Sequence, residues 1–190
     1  MTNAALPGVR WGKVTRHGDS RGAFREVWRE SQFPDLGPEL TGVPGARFRQ
    51  ANVSTSSAGV LRGLHYHRRQ LDHWIVLDGR AYVALVDIRP TADGGDPAVE
   101  ARELEADGTV SIPAGVAHGF LALTDLVLMY VVTNEYDGTD ELGFAWDDPW
   151  AGVRWPAVRG TADGRPILSE RDERNPPLRE LIASLAQGRS

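Results

Sequence analysis

The sequence predicts an all-β domain built as an antiparallel sandwich or barrel. Short runs of β-branched and apolar residues recur along the chain, and Gly, Pro and Asp separate them as turn residues. Residues 177–187 are the one longer segment with apolar residues at helical spacing. A length of 190 residues suits a single domain. We therefore expect one domain over residues 1–190, with irregular N-terminal and C-terminal arms.

Eight segments fit the strand pattern in chain order. They are 48–54, 59–64, 73–77, 81–88, 98–105, 109–112, 118–122 and 126–133. Asp78-Gly79 is a hairpin signal between two of these strands, and residues 113–115 form a tight turn. Residues 30–33 make at most a short turn, whereas 177–187 form a helix with a proline near its start.

The composition excludes several classes of function. The net charge of −5 argues against a nucleic-acid partner. No apolar run approaches a membrane span and no signal region opens the chain, so we expect a cytoplasmic protein without membrane contact. Cysteine is absent, which rules out disulfides and a thiolate metal site. Lys13 is the only lysine, so arginines must carry most cationic roles.

Residues 59–79 are the most informative stretch. His65 and His67 lie one residue apart on a predicted strand, so both side chains point to the same face. Two imidazoles on one face suit either proton transfer or half of a metal site. The residues alone leave both possibilities open.

A third histidine follows the turn at 113–115. Together the two blocks read G-x5-H-x-H-x4-D-x6-G and P-x-G-x2-H. This pair of motifs resembles the cupins, small β-barrels whose two halves aim their histidines into the barrel mouth. In metal-binding cupins the ligands would correspond to His65, His67, Asp72 and His118, with aspartate in place of glutamate. Such a set suits Fe, Mn, Ni or Zn.

The flanking sequence is similar to one cupin branch, the dTDP-4-dehydrorhamnose 3,5-epimerase family. Seven blocks match in family order: 19–26, 49–54, 59–66, 86–89, 112–120, 146–149 and 166–172. Their agreement covers residues 19 to 176, nearly the whole chain. The resemblance implies a cupin double-stranded β-helix, or jelly-roll barrel, with a short C-terminal helix. It also implies a homodimer in which N-terminal strands are exchanged.

The resemblance implies an epimerase of a dTDP-4-keto-6-deoxyhexose that works without a metal or other cofactor. A proton beside the ketone leaves one face of the sugar and returns on the other, with inversion at C3, C5 or both. The family's base corresponds to His65, and the carboxylate that orients it corresponds to Asp172. The acid on the opposite face corresponds to Tyr130.

Further positions that match the family are expected to bind the substrate. Arg62 precedes the base and suits a phosphate or the ketone. His118 is expected in the same pocket, where it helps to fix the ketone or the base. The remaining expected substrate-binding residues are Arg21, Phe24, Glu26, Gln50, Asn52 and Tyr136.

One departure from the family keeps a second hypothesis open. The family carries a lysine near the position of Asp72, and an aspartate there would repel an enolate rather than stabilise it. Arg62, Arg68, Arg69 or a bound metal could supply the missing charge. The alternative is therefore a metal-dependent cupin enzyme, an isomerase or dioxygenase, on His65, His67, Asp72 and His118. A non-catalytic sugar-binding cupin is a third interpretation.

Overall fold

The computed structural model describes residues 5–33, 36–158, 161 and 164–187. Within this part of the chain it contains twelve strands and three α-helices. The strands are β1 (Arg10–Lys13), β2 (Arg16–Asp19), β3 (Gly22–Arg25), β4 (Gln50–Ser56), β5 (Leu61–Tyr66), β6 (Asp72–Asp78), β7 (Arg80–Asp87), β8 (Ala98–Glu105), β9 (Gly108–Ile112), β10 (Val116–Ala122), β11 (Leu126–Val132) and β12 (Leu142–Gly143). The helices are α1 (Pro38–Thr41), α2 (Glu170–Glu173) and α3 (Leu178–Gln187). None of the described helices is long and apolar enough to cross a membrane.

Two five-stranded antiparallel sheets form the body of the domain. Sheet 1 has the order β1-β9-β6-β11-β4, and sheet 2 has the order β12-β5-β10-β7-β8. Strands β2 and β3 form a separate hairpin. All eight predicted strands are present, with ends that differ by one or two residues, and the predicted all-β cupin-type fold is confirmed. The strands that the sequence did not signal are β1, β2, β3 and β12.

The core lies between the two sheets. Inward-facing side chains from both sheets form one buried cluster, because alternate residues of a strand point to the same face. Trp74 of sheet 1 meets Phe120 of sheet 2 edge to face, with ring centroids 5.8 Å apart. The cluster includes Val76, Val83, Leu85, Val110, Ile112, Leu126 and Leu128.

The interpretation of Asp78-Gly79 as a hairpin turn is wrong. Strand β6 pairs with β9 and β11, whereas β7 pairs with β8 and β10, so this turn carries the chain from one sheet to the other. Gly79 has φ of +84°, and a Cβ there would lie 2.0 Å from the Asp125 carbonyl oxygen. The turn residues therefore mark a sharp corner, but the pairing of each strand is decided by its distant neighbours.

The C-terminal arm covers the outer face of sheet 2. Leu178 and Leu181 of α3 are buried in a second cluster with Leu64, Val86 and Phe144. This burial confirms the amphipathic helix predicted over 177–187. The predicted short turn at 30–33 is a 3₁₀ turn over Glu30–Gln32. The preceding segment, 164–173, brings α2 against β5 and places its side chains at the cavity described next.

Candidate active site

A cavity of about 520 Å³ opens between the two sheets. Its size is that of a small-molecule site, and both sheets and the segment around α2 contribute to its wall. The lining residues are Gln50, Asn52, Ser54, Arg62, His65, His67, Gln70, Asp72, Trp74, His118, Phe120, Leu128, Tyr130, Val132, Asn134, Tyr136, Glu141, Ser169, Arg171 and Asp172. The predicted base, its predicted carboxylate and the predicted acid are all among them.

His65 and Asp172 form a hydrogen-bonded pair although 107 residues separate them. His65 Nε2 lies 2.8 Å from Asp172 Oδ1. A carboxylate only accepts hydrogen bonds, so Nε2 carries the proton and the lone pair of neutral His65 is at Nδ1. The site can therefore take up a proton at Nδ1, and the imidazolium that forms would be stabilised by the adjacent carboxylate.

Asp172 is held ionised by its surroundings. Burial alone would raise the pKa of Asp172, but the hydrogen bond and charge of His65, the Gly63 N–H and Ser169 outweigh it and hold the pKa below its usual value. Ser169 caps α2, and its Oγ accepts a hydrogen bond from the Asp172 N–H at 3.1 Å. The local S-x-x-D sequence thus fixes the backbone of the residue that orients the base.

Gly63 allows β5 to approach β10 closely beside the base. Its φ is +124°, and a Cβ at this position would lie 2.6 Å from Gly119 Cα and 2.8 Å from the His118 carbonyl oxygen. Only glycine fits this contact. The close approach brings His65 and His118 opposite one another in the β5–β10 ladder.

Tyr130 lies on β11 and faces the same cavity. Its Cα partners are Asn52 on β4 and Trp74 on β6. Burial raises the pKa of Tyr130, the negative charges of Asp72 and Glu141 raise it further, and Arg62 lowers it. The phenol is therefore neutral near pH 7 and has a proton to donate.

Three predicted polar residues line the cavity on β4 and β5. Gln50 and Asn52 face inward on β4, and the Gln50 amide donates to Asn52 Oδ1 at 3.0 Å. Arg62 is held by Ser56 Oγ at 3.0 Å and by the Thr55 carbonyl oxygen at 3.1 Å. Its guanidinium is thus positioned at the cavity by neutral acceptors and retains its charge for a substrate anion.

The structure brings together only three of the four residues of the metal hypothesis. His67, Asp72 and His118 each place a potential ligand atom within 4.8 Å of the others. His65 is not in this group, and its Nε2 is bonded to Asp172. Burial lowers the pKa of His118 to about 4, although Asp72 raises it, so this imidazole is neutral near pH 7.

Another set of predicted residues lies outside the cavity of the same chain. Arg21 lies in the turn of the β2–β3 hairpin, Phe24 lies on β3, and Glu26 follows β3. Phe24 is 71% exposed. Arg21 pairs with Asp19, and Glu26 pairs with Arg29. Tyr136, by contrast, lies at the mouth of the cavity and is 71% exposed. Its backbone N–H donates to Gln50 Oε1 at 2.9 Å.

Several cavity residues were not among the predicted site residues. Arg171 lies next to Asp172 in sequence and forms a 2.7 Å ion pair with Glu141. Its position beside a predicted site residue was the available signal. Arg68 and Arg69, considered as substitutes for the family lysine, instead pair with Asp140 and are not part of the lining. Lys13 pairs with Glu105 at 3.3 Å and lines a different cavity.

Comparison with known proteins identifies the family. The family model for dTDP-4-dehydrorhamnose 3,5-epimerase matches residues 3–180. The chain belongs to the dTDP-4-dehydrorhamnose 3,5-epimerase family. The resemblance drawn from the seven sequence blocks is confirmed, and the protein is an isomerase of the nucleotide-sugar epimerase type.

Individual relatives of this family agree with the assignment. A dTDP-4-dehydrorhamnose 3,5-epimerase from Methanothermobacter thermautotrophicus is 38% identical over 167 residues, which are 85% of this chain and 85% of the relative. The structure of the Mycobacterium tuberculosis rmlC epimerase superposes with a TM-score of 0.79 at 34% identity, over 95% of this chain and 89% of the other. An RmlC epimerase from Legionella pneumophila, solved with dTDP-4-keto-L-rhamnose, has a TM-score of 0.78 at 29% identity and covers 96% and 94%.

Proposed function

We propose that the protein epimerises a dTDP-4-keto-6-deoxyhexose at C3, C5 or both, as in dTDP-rhamnose-type deoxysugar biosynthesis. The observation that carries the proposal is one cavity containing a carboxylate-supported imidazole and a neutral phenol. A proton acceptor and a proton donor in one cavity are what inversion beside a ketone requires. Membership of the epimerase family supports the same reaction.

The proposed reaction begins at His65 Nδ1. This lone pair removes the proton beside the ketone, and the C–H electron pair becomes the enolate double bond while charge moves to the ketone oxygen. Asp172 stabilises the imidazolium that results, since its Oδ1 is 2.8 Å from Nε2. Tyr130 then delivers a proton to the opposite face of the same carbon and leaves a phenolate that solvent reprotonates, while the imidazolium of His65 releases its proton to solvent. Gln50, Asn52, Arg62, His118 and Tyr136 are proposed to hold the sugar and diphosphate.

We further propose that two copies of the chain share their sites. The expected substrate-binding residues Arg21, Phe24 and Glu26 do not line the cavity of their own chain, and Phe24 is 71% exposed. Val53 is 61% exposed on β4, an edge strand of sheet 1. A homodimer in which each hairpin reaches the partner's cavity would bury apolar surface and complete the nucleotide site.

Solvent-deuterium exchange tests the role of His65. With the proposed substrate in D₂O, the wild-type protein should incorporate deuterium beside the ketone, and His65→Ala should lose this exchange. Arg80→Ala is the control, because Arg80 is exposed on β7 and pairs with Glu103 away from the cavity. Full exchange by His65→Ala would refute the assignment of the base.

Complementation between two inactive variants tests the shared site. Phe24→Ala and His65→Ala should each be inactive alone, and unfolding and refolding them together should restore activity. A mixed dimer would contain one cavity with both an intact His65 and an intact Phe24 from its partner. Sedimentation should give a mass of twice 20.8 kDa. A monomer, or failure of the mixture to regain activity, would refute the shared site.

A further inference from the structure

His67, Asp72 and His118 converge in the cavity from three separate places in the fold. His67 follows β5, Asp72 begins β6, and His118 lies in the middle of β10. One potential ligand atom of each residue lies within 4.8 Å of the other two, and His118 Nε2 is 3.8 Å from Asp72 Oδ2. The group combines two imidazoles and one carboxylate on a rigid sheet scaffold.

Both imidazoles are held in the tautomer that leaves Nε2 without a proton. His67 Nδ1 is 2.5 Å from the Asp140 carbonyl oxygen, and His118 Nδ1 is 3.4 Å from the Val116 carbonyl oxygen. A carbonyl oxygen can only accept, so each Nδ1 carries the proton. Metal-binding histidines are oriented by this same contact, in which the second ring nitrogen donates to a carbonyl or carboxylate.

The carboxylate of Asp72 is oriented in the same way. Gln70 Nε2 donates to Oδ1 at 2.8 Å, and Trp74 Nε1 donates to Oδ2 at 3.1 Å. Each oxygen of a carboxylate accepts about two hydrogen bonds, so a lone pair remains on each. The supporting hydrogen bonds therefore orient all three side chains and leave a lone pair available on each.

This arrangement lacks a compensating cation among the described residues. The single basic group within 4.0 Å of the Asp72 carboxylate there is His118, whose nearest nitrogen is the unprotonated Nε2. The two cavity arginines have other partners: Arg62 bonds Ser56 and Thr55, and Arg171 pairs with Glu141. A buried carboxylate beside two imidazoles is stabilised when a cation lies between them.

We propose that His67, Asp72 and His118 bind a divalent transition-metal ion of the Zn²⁺, Co²⁺ or Fe²⁺ class. Ligands bound about 2.0–2.2 Å from a tetrahedral metal are roughly 3.4 Å apart, so side-chain shifts of about 1 Å would close the site. Two imidazoles and one carboxylate are a donor set typical of these ions, and they leave coordination positions open.

An ion at this site would face the cavity that contains His65 and Tyr130. The charge of a bound ion would supply Lewis-acid stabilisation of the enolate that forms when His65 removes the proton. Glu141, Asp72 and Asp172 outnumber Arg62 and Arg171 in the cavity, so a further positive charge would favour an anionic intermediate. The proposal that the ion binds does not depend on the proposed function, whereas its catalytic role does.

Metal titration of the full-length protein tests the site directly. Protein stripped with EDTA and freed of chelator is titrated with Co²⁺, followed by visible absorption, and with Zn²⁺, followed by calorimetry. We expect one equivalent per chain. The absence of stoichiometric binding would overturn the proposal.

Variants of two of the ligands, with an exposed histidine as control, test which residues bind the metal. His67→Ala and Asp72→Asn should each weaken binding by at least about 10²-fold, with folding checked by circular dichroism and thermal unfolding. Asp72→Asn removes the buried charge without leaving an unpaired one, so it remains informative if His67→Ala is unstable. His17→Ala, an exposed histidine on β2, should bind normally. Unchanged binding in both ligand variants would overturn the site.

His65→Ala distinguishes this proposal from the proposed function. It should bind the metal with wild-type affinity while losing deuterium exchange, because His65 is not one of the three residues whose ligand atoms converge. Loss of metal from His65→Ala would overturn the three-residue site. In the wild-type protein, exchange should fall on metal removal and return with Zn²⁺ or Co²⁺. Undiminished exchange by metal-free protein would overturn the catalytic role and leave the proposed epimerase reaction intact.

Discussion

Asp72 and Asp172 are two carboxylates of one cavity, and each is 4% exposed. They differ in their partners. Asp172 accepts from His65 Nε2 at 2.8 Å, whereas Asp72 accepts from neutral Gln70 and Trp74 and lies 3.8 Å from His118 Nε2. The carboxylate of Asp172 therefore meets an imidazole N–H, whereas that of Asp72 lies near an imidazole nitrogen that carries a lone pair.

The difference shows that burial does not decide what a carboxylate does. An imidazole whose N–H donates to a carboxylate becomes a better proton acceptor at its other nitrogen. An imidazole whose N–H donates to a backbone carbonyl presents a lone pair at Nε2 to whatever lies opposite. The same residue types thus form the proposed proton-transfer pair around Asp172 and a candidate metal site around Asp72.

The largest expected effect is at Asp172. Asp172→Asn should lower kcat by about 10²–10⁴-fold, because an amide stabilises imidazolium poorly and no longer fixes the tautomer of His65. Metal binding should be unchanged in this variant. Steady-state epimerisation and the Co²⁺ titration measure the two properties. If Asp172→Asn retained full activity or lost its metal, the distinction between the two carboxylates would fail.

Tyr130→Phe should give the next largest effect. Without the phenol, inversion should fall by about 10²–10³-fold, because a general acid contributes on this scale. Deuterium exchange at the face served by His65 should persist, since its base and carboxylate remain. Proton NMR of the product in D₂O separates exchange from inversion. Equal loss of both would show that Tyr130 serves the same face as His65.

A histidine without a carboxylate partner sharpens the comparison further. Burial lowers the pKa of His73 to about 4, and its Nδ1 lies 2.9 Å from Ser111 Oγ. The unfolded chain binds a proton near pH 6.5 and the folded chain does not, so stability falls as pH drops below that value. His73 alone should lower the free energy of unfolding by about 2 kcal/mol when the pH falls from 7 to 5.

Urea unfolding with EDTA present measures this effect. Between the two pH values, the free energy of unfolding of His73→Asn should fall by about 2 kcal/mol less than that of the wild-type protein. A pH dependence identical in both proteins would mean that His73 is protonated in the folded state.

The smallest expected effect concerns the charge near Tyr130. Burial, then Asp72, then Glu141 raise the pKa of this phenol, so Glu141→Gln should move the alkaline decline of kcat/KM to lower pH. Glu103→Gln is the control, because Glu103 is exposed on β8 and pairs with Arg80. A shift to higher pH, or an equal shift in the control, would contradict the assignment of Tyr130 as the acid.

Much of the fold was predictable because its strands have strong local signals. Segments such as 126–133 combine β-branched residues with turn residues at both ends, and each predicted strand is present. Strands β1, β2 and β3 contain Arg, Lys, Gly and Asp, and their strand conformation depends on pairing with one another or with β9. The Asp78-Gly79 turn was found, but the sheets that it joins are specified by contacts far away in the chain.

The sequence by itself determined the family and the candidate proton-transfer residues. The resemblance of residues 59–66 and 166–172 to the family predicted His65 as the base and Asp172 as its partner, and their hydrogen bond is present in the structure. Tertiary structure alone decided which nitrogens carry protons. The hydrogen bonds of His67 and His118 end on Asp140 and Val116, and that of His65 ends on Asp172. These partners fix which nitrogen of each imidazole is free to act, and the folded backbone is what places them.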